Sequence, residues 1–422
     1  MRASLNRKSH RVTRRSLALS LLFASSFALT GCWDSHELED LTFISIVGVD
    51  EAPQKNNLQI SFQYEAPLSI QGSNPNVAQA KNIVATFVTP SFGAARNLAN
   101  ITTDRQLSLL QCKAIILSEA LIKHEDAIEL MEALVRERDF RRDIAVITSL
   151  DPIEKIMHVN RSKLGSSSAR TLENLRNQVT YTSLVPKTTL NDFFIRVESG
   201  NTLPITPLIA IKSRLSKTSQ LKNEDEVYAG QVPLDHGDNP VEAMGAEVYQ
   251  NNLGVGRLTG AEVRIYAIMR NKTGQFIKSF DDPVKHGARD AVLIKQYYSP
   301  HVTAHLDKTQ LHILIDVPLQ ASLIGTNAGV DFVQNARYTR LLERGLERHL
   351  EQETYALLRR CQTAFHGDIF GFSGALKTRF LTDQGWKAFH YVQKFNHAKF
   401  TVRYHILMSS FGKQRAPANI TE

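Results

Sequence analysis

Short apolar runs alternate with stretches of helical spacing through the first half of the chain. Leu41 to Val49 is a nearly unbroken apolar run and reads as a buried strand. Leu58 to Tyr64 alternates apolar and polar residues, as a half-buried strand does, and Asn56-Asn57 supplies the turn between the two. Further strands are expected at 83–88, 114–117 and 144–147, with helices at 93–101 and 119–138. In the second helix Leu121, Ile128, Met131, Leu134 and Val135 recur at helical steps. Such alternation of strands and helices predicts an α/β domain.

Residues 162–170 are small and polar and read as a connection; helical stretches come next, near 169–177 and 188–198, and a strand at 208–211 comes after Pro204 and Pro207. The segment 213–240 crowds Lys, Asn, Asp, Gly and Pro and reads as a long surface loop. Ala246–Tyr249 and Gly256–Leu258 flank Asn251-Asn252-Leu253-Gly254, a hairpin pattern with its glycines at positive φ; the residues after Gly260 are β-branched and strand-like.

The last third reads as sheet, then helix. Apolar-rich strands lie at 291–298, 302–306 and 311–324, and one long helix spans 332–364. Tyr338, Leu342, Leu346, Leu350, Thr354, Leu357, Cys361 and Phe365 form its stripe, with Thr354 as the polar member. Arg340, Glu343, Arg344, Glu347, Arg348, Glu351 and Glu353 fall on other faces. A shorter helix near 383–393 and a strand at 399–408 close the chain. The expected class is mixed α/β and α+β: a leader at 1–31, an N-terminal α/β domain at 32–200, a middle domain at 201–265 carrying the 213–240 loop, an α+β domain of antiparallel sheet plus long helix at 266–412, and a tail at 413–422.

Charge changes this picture at the N-terminus. The chain has 50 Lys+Arg and 42 Asp+Glu, net +8. Arg2, Arg7, Lys8, Arg11, Arg14 and Arg15 are six of the basic residues, and residues 1–31 hold no acidic one, so the remainder carries 44 minus 42, or +2. The pI of 9.3 therefore reports the leader, and with no Lys/Arg stripe interleaved with aromatics in the remainder, nucleic acid is not an expected partner. Leu17–Leu29, broken only by serines and other small residues, is too short to span a bilayer, which takes about 20 residues. It ends in Leu29-Thr30-Gly31-Cys32, the pattern of a bacterial lipoprotein signal. The Cys32 thiol is the nucleophile that takes a diacylglycerol group, the small neighbours admit the backbone to the processing enzymes, and two or three acyl chains anchor at about 0.8 kcal/mol per buried CH₂. Lipidation is thus expected at Cys32; Cys112 and Cys361 read as buried free thiols, with a disulfide between them as the alternative.

No motif of catalysis is complete. Gly254-x-Gly256-x-x-x-Gly260 has one residue too many for a dinucleotide loop. Gly371-Phe-Ser373-Gly-Ala375 puts alanine where a nucleophile elbow needs glycine, and reads as a glycine-rich turn entering a helix. His301 and His305 on one face of a strand stand about 13 Å apart, too far to share a zinc. No catalytic residue, metal site or cofactor is expected.

The chain resembles the Ger(x)C family of spore germination lipoproteins from the cysteine to about residue 412. Trp33-Asp34-Ser-His-Glu37-Leu38-Glu-Asp-Leu41 looks like the family's C-W-D-x-x-E-[LI]-x-D-[LR] opening, and Val47-Gly-Val-Asp50 is similar to the family's next strand end. Arg105-Gln-Leu107 with Leu117-Ser-Glu119, then Arg138-Asp-Phe-Arg141, resemble later family segments. Gly245–Tyr249 with Leu253–Leu258 resembles its hairpin, although Glu247 stands where alanine is usual and Gly260-Ala-Glu262 replaces E-[ST]-x-G. Asp368-Ile-Phe-Gly371-Phe, with Trp386 beyond it, resembles its C-terminal block.

The resemblance implies a three-domain lipoprotein on the outer face of the inner spore membrane or cell membrane, with no enzymatic activity. It implies two integral membrane receptor subunits as partners, one permease-like, in an assembly that responds to small nutrients. Trp33, Asp34, Glu37 and Leu38 come directly after the lipidated residue and are the expected partner contacts. A solute-binding lipoprotein of a transporter is the alternative; it needs two similar α/β lobes around a cleft.

Overall fold

The computed structural model describes residues 38–64, 83–124, 130, 133–134, 136–160, 168–212, 225–232, 239–307, 310–332 and 334–411. The chain divides into a first unit ending at Thr42 and a second running from Phe43 to Glu422. Of the first unit, a 3-10 turn at Leu38–Asp40 and the opening residues of β1 are described.

The first sheet is assembled from β1 (Leu41–Glu51), β2 (Leu58–Tyr64), β3 (Ile83–Thr89), β4 (Gln106–Ser108), β5 (Ala114–Ser118), β6 (Ala145–Ser149), β7 (Ile205–Ile211), β8 (Val241–Gln250) and β9 (Leu253–Leu258). Its order is β3-β2-β1-β5-β6-β7-β8-β9, with β4 paired to β1. The centre, β1-β5-β6-β7, is parallel and the flanks are antiparallel. β5 and β6 are buried along their whole length, which is why each reads as an unbroken apolar run. Their side chains divide by period two. Ile115 and Leu117 share a core with Phe92 of α1 (Phe92–Thr102) and Phe193 of α5 (Leu190–Ser199). Ala114 and Ile116 face the opposite core with Ile153 and Ile156 of α2 (Ile153–Val159) and Leu172 of α3 (Ser168–Glu173). A fourth helix, α4 (Leu175–Tyr181), leads towards α5, whose start is fixed by a Thr189/Asp192 capping box and whose end is Gly200 at φ 62°.

Three expectations change here. The helix read over 119–138 is interrupted: a 3-10 turn at Leu121–Lys123 ends at His124 in extended conformation, and beyond it residues 130, 133, 134 and 136 are helical while 137 and 138 are not. The segment 213–240 is not all surface loop, because Asp225, Val227 and Ala229 are buried; 213–224 and 233–238 lie outside the described residues. Residues after Gly260 form α6 (Gly260–Met269), not a strand. A Thr259/Glu262 capping box starts α6, and its residues are buried almost all round, so no amphipathic stripe marks it in the sequence. Strands β7–β9, from the segment expected as a middle domain, continue the first sheet, and α6 spans residue 265 and packs in the core of the second.

The second sheet holds β10 (Gln275–Asp281), β11 (Arg289–Lys295), β12 (His301–Asp307), β13 (Gln310–Thr326) and β14 (Lys399–Ser410). β13 is its spine. One edge pairs with β12 over 310–316 and then with β11 over 320–326; the other pairs with β14. The sheet is antiparallel except at β13–β14, because α7 (Ala336–Thr363) carries the chain back across it before β14 begins. The short helices α8 (Gly374–Lys377), α9 (Asp383–Ala388) and α10 (Tyr391–Asn396) lie in the connection. Every second residue of β13 is buried, from Leu311 to Leu323, in one core with Leu342, Leu346, Leu350, Leu357 and Cys361 of α7. Thr354 belongs in this stripe: its hydroxyl bonds the Leu350 carbonyl and the Tyr404 hydroxyl, each at 2.8 Å.

The outer edge of β14 is covered by α7. Backbone N–H groups of Met408 and Ile406 donate to Glu343 and Glu347 Oε1, both at 3.0 Å, Tyr404 N–H to Glu351 Oε1 at 3.4 Å and Val402 N–H to the Tyr355 hydroxyl at 2.9 Å. Four residues of helix rise about 6 Å and two residues of strand about 6.6 Å, so one row at i, i+4, i+8, i+12 keeps step with every second strand residue. In sequence these glutamates fall only on faces other than the apolar stripe; in the fold they close a sheet edge. Glu347→Leu is expected to cost about 1.5–3 kcal/mol, the value of a hydrogen bond to a charged group, and Glu347→Gln, which keeps an acceptor, under about 1. Urea melts with amide exchange at Ile406 test this: equal losses in the two variants, with Ile406 exchange unchanged, would refute it.

Candidate interaction site

Of the five residues expected at the membrane end, Cys32, Trp33, Asp34 and Glu37 lie outside the described residues. Leu38 opens the 3-10 turn whose next two residues, Glu39 and Asp40, are acidic and exposed; its side chain is not described. Leu41 comes directly after as the first residue of β1.

The segments that carry the family resemblance are engaged by the fold. The Asp50 carboxylate accepts the Ile153 N–H at 3.2 Å, joining β1 to the start of α2. Arg96 on α1 donates to Glu137 at 2.9 Å and to Asp139 at 2.5 Å. Buried Asp368 holds a turn together: Oδ1 accepts the N–H groups of Phe370 and Gly371 at 2.7 and 2.9 Å, and Oδ2 accepts the Tyr391 hydroxyl at 2.7 Å. Burial raises the Asp368 carboxyl, and the Tyr391 and backbone hydrogen bonds pull it back. Trp386 packs on Phe380, Phe389 and Tyr391 with ring centroids 5.3–5.8 Å apart. Gly371 sits at φ 80°, where a side chain is strained, and Ser373 precedes the four-residue α8, as expected of a turn entering a helix.

A second group of charges lies at the β8–β9 hairpin. Asn251 and Asn252, at φ 52° and 66°, make its turn; the positive φ expected of Gly254 and Gly256 is on the asparagines instead. The two glycines answer to crowding. A Cβ on Gly254 would lie 2.6 Å from Ile122 and 2.8 Å from Glu247 Oε1, and one on Gly256 2.7 Å from Phe365. The N-terminus of α6 holds no ligand position: the Gly260 and Ala261 N–H groups donate to the Val227 and Asp225 carbonyls, and the Glu262 N–H to Thr259 Oγ1. Across the hairpin Glu247 faces Arg257 at 3.6 Å; Arg257 also pairs with Glu119, and Glu119 with Lys123 at 2.5 Å. Burial pushes the Glu247 carboxyl up to about 8, with Arg257 opposing and Glu119 assisting.

The third group joins the segment 225–232, which lies between β7 and β8, to α6 and the second sheet. Asp225 pairs with Arg264 on α6 and, at 2.9 Å, with Lys278 on β10; Lys278 reaches Glu353 on α7 at 2.6 Å, which His349 approaches at 3.3 Å. Lys278 is 1% exposed, so a charge with no other outlet is shared by two carboxylates. Burial works against the Glu353 carboxylate, but the His349 hydrogen bond and the Lys278 charge outweigh it and hold its pKa below the ordinary value. Sequence reading missed this group, since Asp225 and Lys278 fall in segments without a motif.

Among the described residues, no group of three or more His, Cys, Asp or Glu is placed to hold a metal ion. His301 and His305 share β12, and His305 stacks on His312 of β13 at 5.1 Å. Cys112 and Cys361 are buried and free, and burial pushes the Cys112 thiol up to about 12. No described helix is long and apolar enough to cross a membrane.

Comparisons with known proteins point one way. The family model for a spore germination protein N-terminal domain matches residues 34–211, and that for the spore germination B3/GerAC-like C-terminal domain matches 244–412. Spore germination protein KC of Bacillus subtilis (strain 168) is 26% identical over 159 residues, 34% of this chain and 39% of that protein, so the match spans well under half of the relative. The crystal structure of the GerBC protein superposes with a TM-score of 0.51 at 13% identity, covering 86% of this chain and 96% of that one, which shows a common fold.

Glu247 and Asp290 give the fold a pH dependence. Burial, with Thr326 opposing and Asp282 assisting, pushes Asp290 up to about 7. Both carboxyls hold protons more tightly folded than unfolded, so the stability they contribute is full below about pH 4 and lost as pH rises through 7 to 8. Glu247→Gln removes its share. The variant is expected to gain on wild type by roughly 2 kcal/mol or more between pH 4.5 and pH 8, at 1.36 kcal/mol per pKa unit. Denaturant melts across that range test it, and a difference flat in pH would show Glu247 ionised throughout.

Proposed function

The chain belongs to the Ger(x)C family of spore germination proteins, and from that premise we propose that it is the lipid-anchored subunit of a nutrient-germinant receptor, acting by contact with membrane subunits and carrying out no reaction of its own. The observation that carries this reading is the placement of the family match: it begins at residue 34, two residues after the cysteine of the lipoprotein pattern, and runs to residue 412.

Lipid on Cys32 would hold the chain at the surface, and the six residue steps to Leu38 span at most about 20 Å. Trp33, Asp34, Glu37 and Leu38 then stay within reach of membrane subunits. The amphipathic Trp33 ring suits the headgroup level, and Asp34 and Glu37 suit cationic loops. A net +2 beyond the leader gives only weak attraction to anionic lipid, so the acyl chains supply the anchoring. Two integral membrane subunits, one permease-like, are the proposed partners, on the outer face of the inner spore membrane or cell membrane, in an assembly that responds to small nutrients.

Cys32→Ala is expected to leave a soluble or unprocessed protein and to abolish germination with the cognate nutrient. Membrane fractionation checks this; full retention of correctly cleaved Cys32→Ala protein in the membrane would refute lipid anchoring. Glu37→Lys is expected to reduce co-purification of the membrane subunits while leaving lipidation intact. Recovery of those subunits at wild-type yield would remove Glu37 from the interface.

A further inference from the structure

A cleft of about 280 Å³ opens between α5 of the first sheet's helical layer and the Gly371 turn of the second domain. Four cations line it, Lys187, Arg196, Arg270 and Lys272, against one acid, Asp192, a local net of four minus one, or +3. Asp192 is already engaged in the capping box of α5. Arg196 is engaged as well, donating to the Leu203 and Ile369 carbonyls at 3.2 and 2.9 Å and to the Tyr266 hydroxyl at 2.9 Å. Arg270 spends one N–H on the Phe370 carbonyl at 2.8 Å, and its Nε is buried without a hydrogen-bond partner among the described residues. Lys187 and Lys272 are exposed and pair with no carboxylate among the described residues, and the Thr202 and Ser373 hydroxyls in the same wall make no hydrogen bond there either.

Lys187, Lys272 and Arg270 Nε are thus donors on a concave surface with no acceptor among the described residues, beside an Arg196 that is already engaged. Like charges lining one cleft repel, and a bound anion would relieve that repulsion. Bound there, an anion would face donors from both domains at once. A hollow of about 220 Å³ adjoins the cleft, shares Arg270 and Gly371 with it, and is walled by Met269, Pro300, Val302, Phe370, Phe372 and Ala375. We propose that this cleft binds a small anion through its carboxylate or phosphate group, held by Lys187, Lys272 and Arg270 with Thr202 and Ser373, and that the adjoining hollow accepts a compact apolar substituent. This goes beyond the receptor-subunit role and stands without it.

The test is thermal melting and calorimetry on the full chain in detergent with phosphate, acetate and benzoate, each against chloride at equal ionic strength. Saturable binding of phosphate or a carboxylate, with a rise in melting temperature, is expected. Benzoate binding tighter than acetate assigns the apolar hollow to the ligand, and equal affinities would remove it. The double variant Lys187→Glu, Lys272→Glu is expected to weaken binding by about tenfold or more through charge reversal. The control Lys155→Glu, exposed on α2, is expected to leave binding unchanged. Both substituted lysines are exposed, so the fold should tolerate the change; if the charge-reversed variant melts early in chloride, Lys187→Gln, Lys272→Gln gives the same reading with a smaller loss. Failure of all three anions to bind wild type, double-variant affinity within twofold of wild type, or an equal loss in Lys155→Glu would each overturn the proposal.

Discussion

The match in step between α7 and β14 constrains much of the C-terminal half. β14 is an edge strand, and an open edge offers a row of N–H groups to any other chain. Here Glu343, Glu347, Glu351 and Tyr355 take that row, while the adjacent helical face buries Leu342, Leu346, Leu350 and Leu357 against β13. A helix rotated by one residue would lose both sets together. The register thus fixes where the helix ends. At that end Arg360 pairs with Glu262 and donates to the Arg257 carbonyl at 2.9 Å, tying α7 to α6 and to the last strand of the first sheet. Gly256 completes the joint, since the Phe365 ring occupies the space a side chain would need.

The buried charges among Asp225, Arg264, Lys278 and Glu353 do a different job. Ions withdrawn from water recover their lost hydration only when geometry is good, and apolar residues of the same shape often stabilise as much. Their effect is better sought in specificity. α6 is apolar nearly all round and would tolerate several rotations by packing alone; the Arg264 pair with Asp225, its guanidinium 4.8 Å above the Phe276 ring, selects one of them. Lys278 then links the same aspartate to α7, so three elements are set by one carboxylate.

Legibility in the sequence tracked the solvent. Elements with one apolar face, such as β13 and α7, announce themselves by period, and β5 and β6 by unbroken apolar runs; β2 alternates too, but its polar Ser61 and Gln63 are buried, bonded to Thr86 and Ser45, so the half-buried strand expected there is buried on both faces. α6 was misread because burial on all sides erases its period and leaves only Val263, Ile265 and Ile268 to suggest a strand. The glutamate row was legible as spacing but not as function, because a helix face toward water and a helix face toward a strand edge have the same composition. The joining charges were not legible, since Asp225 and Lys278 are 53 residues apart and meet only when two domains pack. At the expected membrane end only the sequence speaks, because Cys32, Trp33, Asp34 and Glu37 lie outside the described residues.

These ties bear on the choice between a receptor subunit and a solute-binding protein. A binding protein that closes on its ligand needs two similar lobes and a pliable hinge. Here the sheets differ in kind, one parallel at its centre and the other antiparallel around β13, and α6 and α7 join them by apolar packing and charge pairs together. Opening such a joint would part Asp225 from Lys278, and breaking a buried ion pair costs several kcal/mol. The strand nearest the proposed anchor, β1, is moreover a central strand held by β2 on one side and β5 on the other. Nine residue steps separate Cys32 from Leu41, where β1 begins. Two unlike sheets braced through α6 and α7 lack the matched lobes and pliable hinge by which a binding protein closes on its solute, whatever small ion a fixed cleft between them holds.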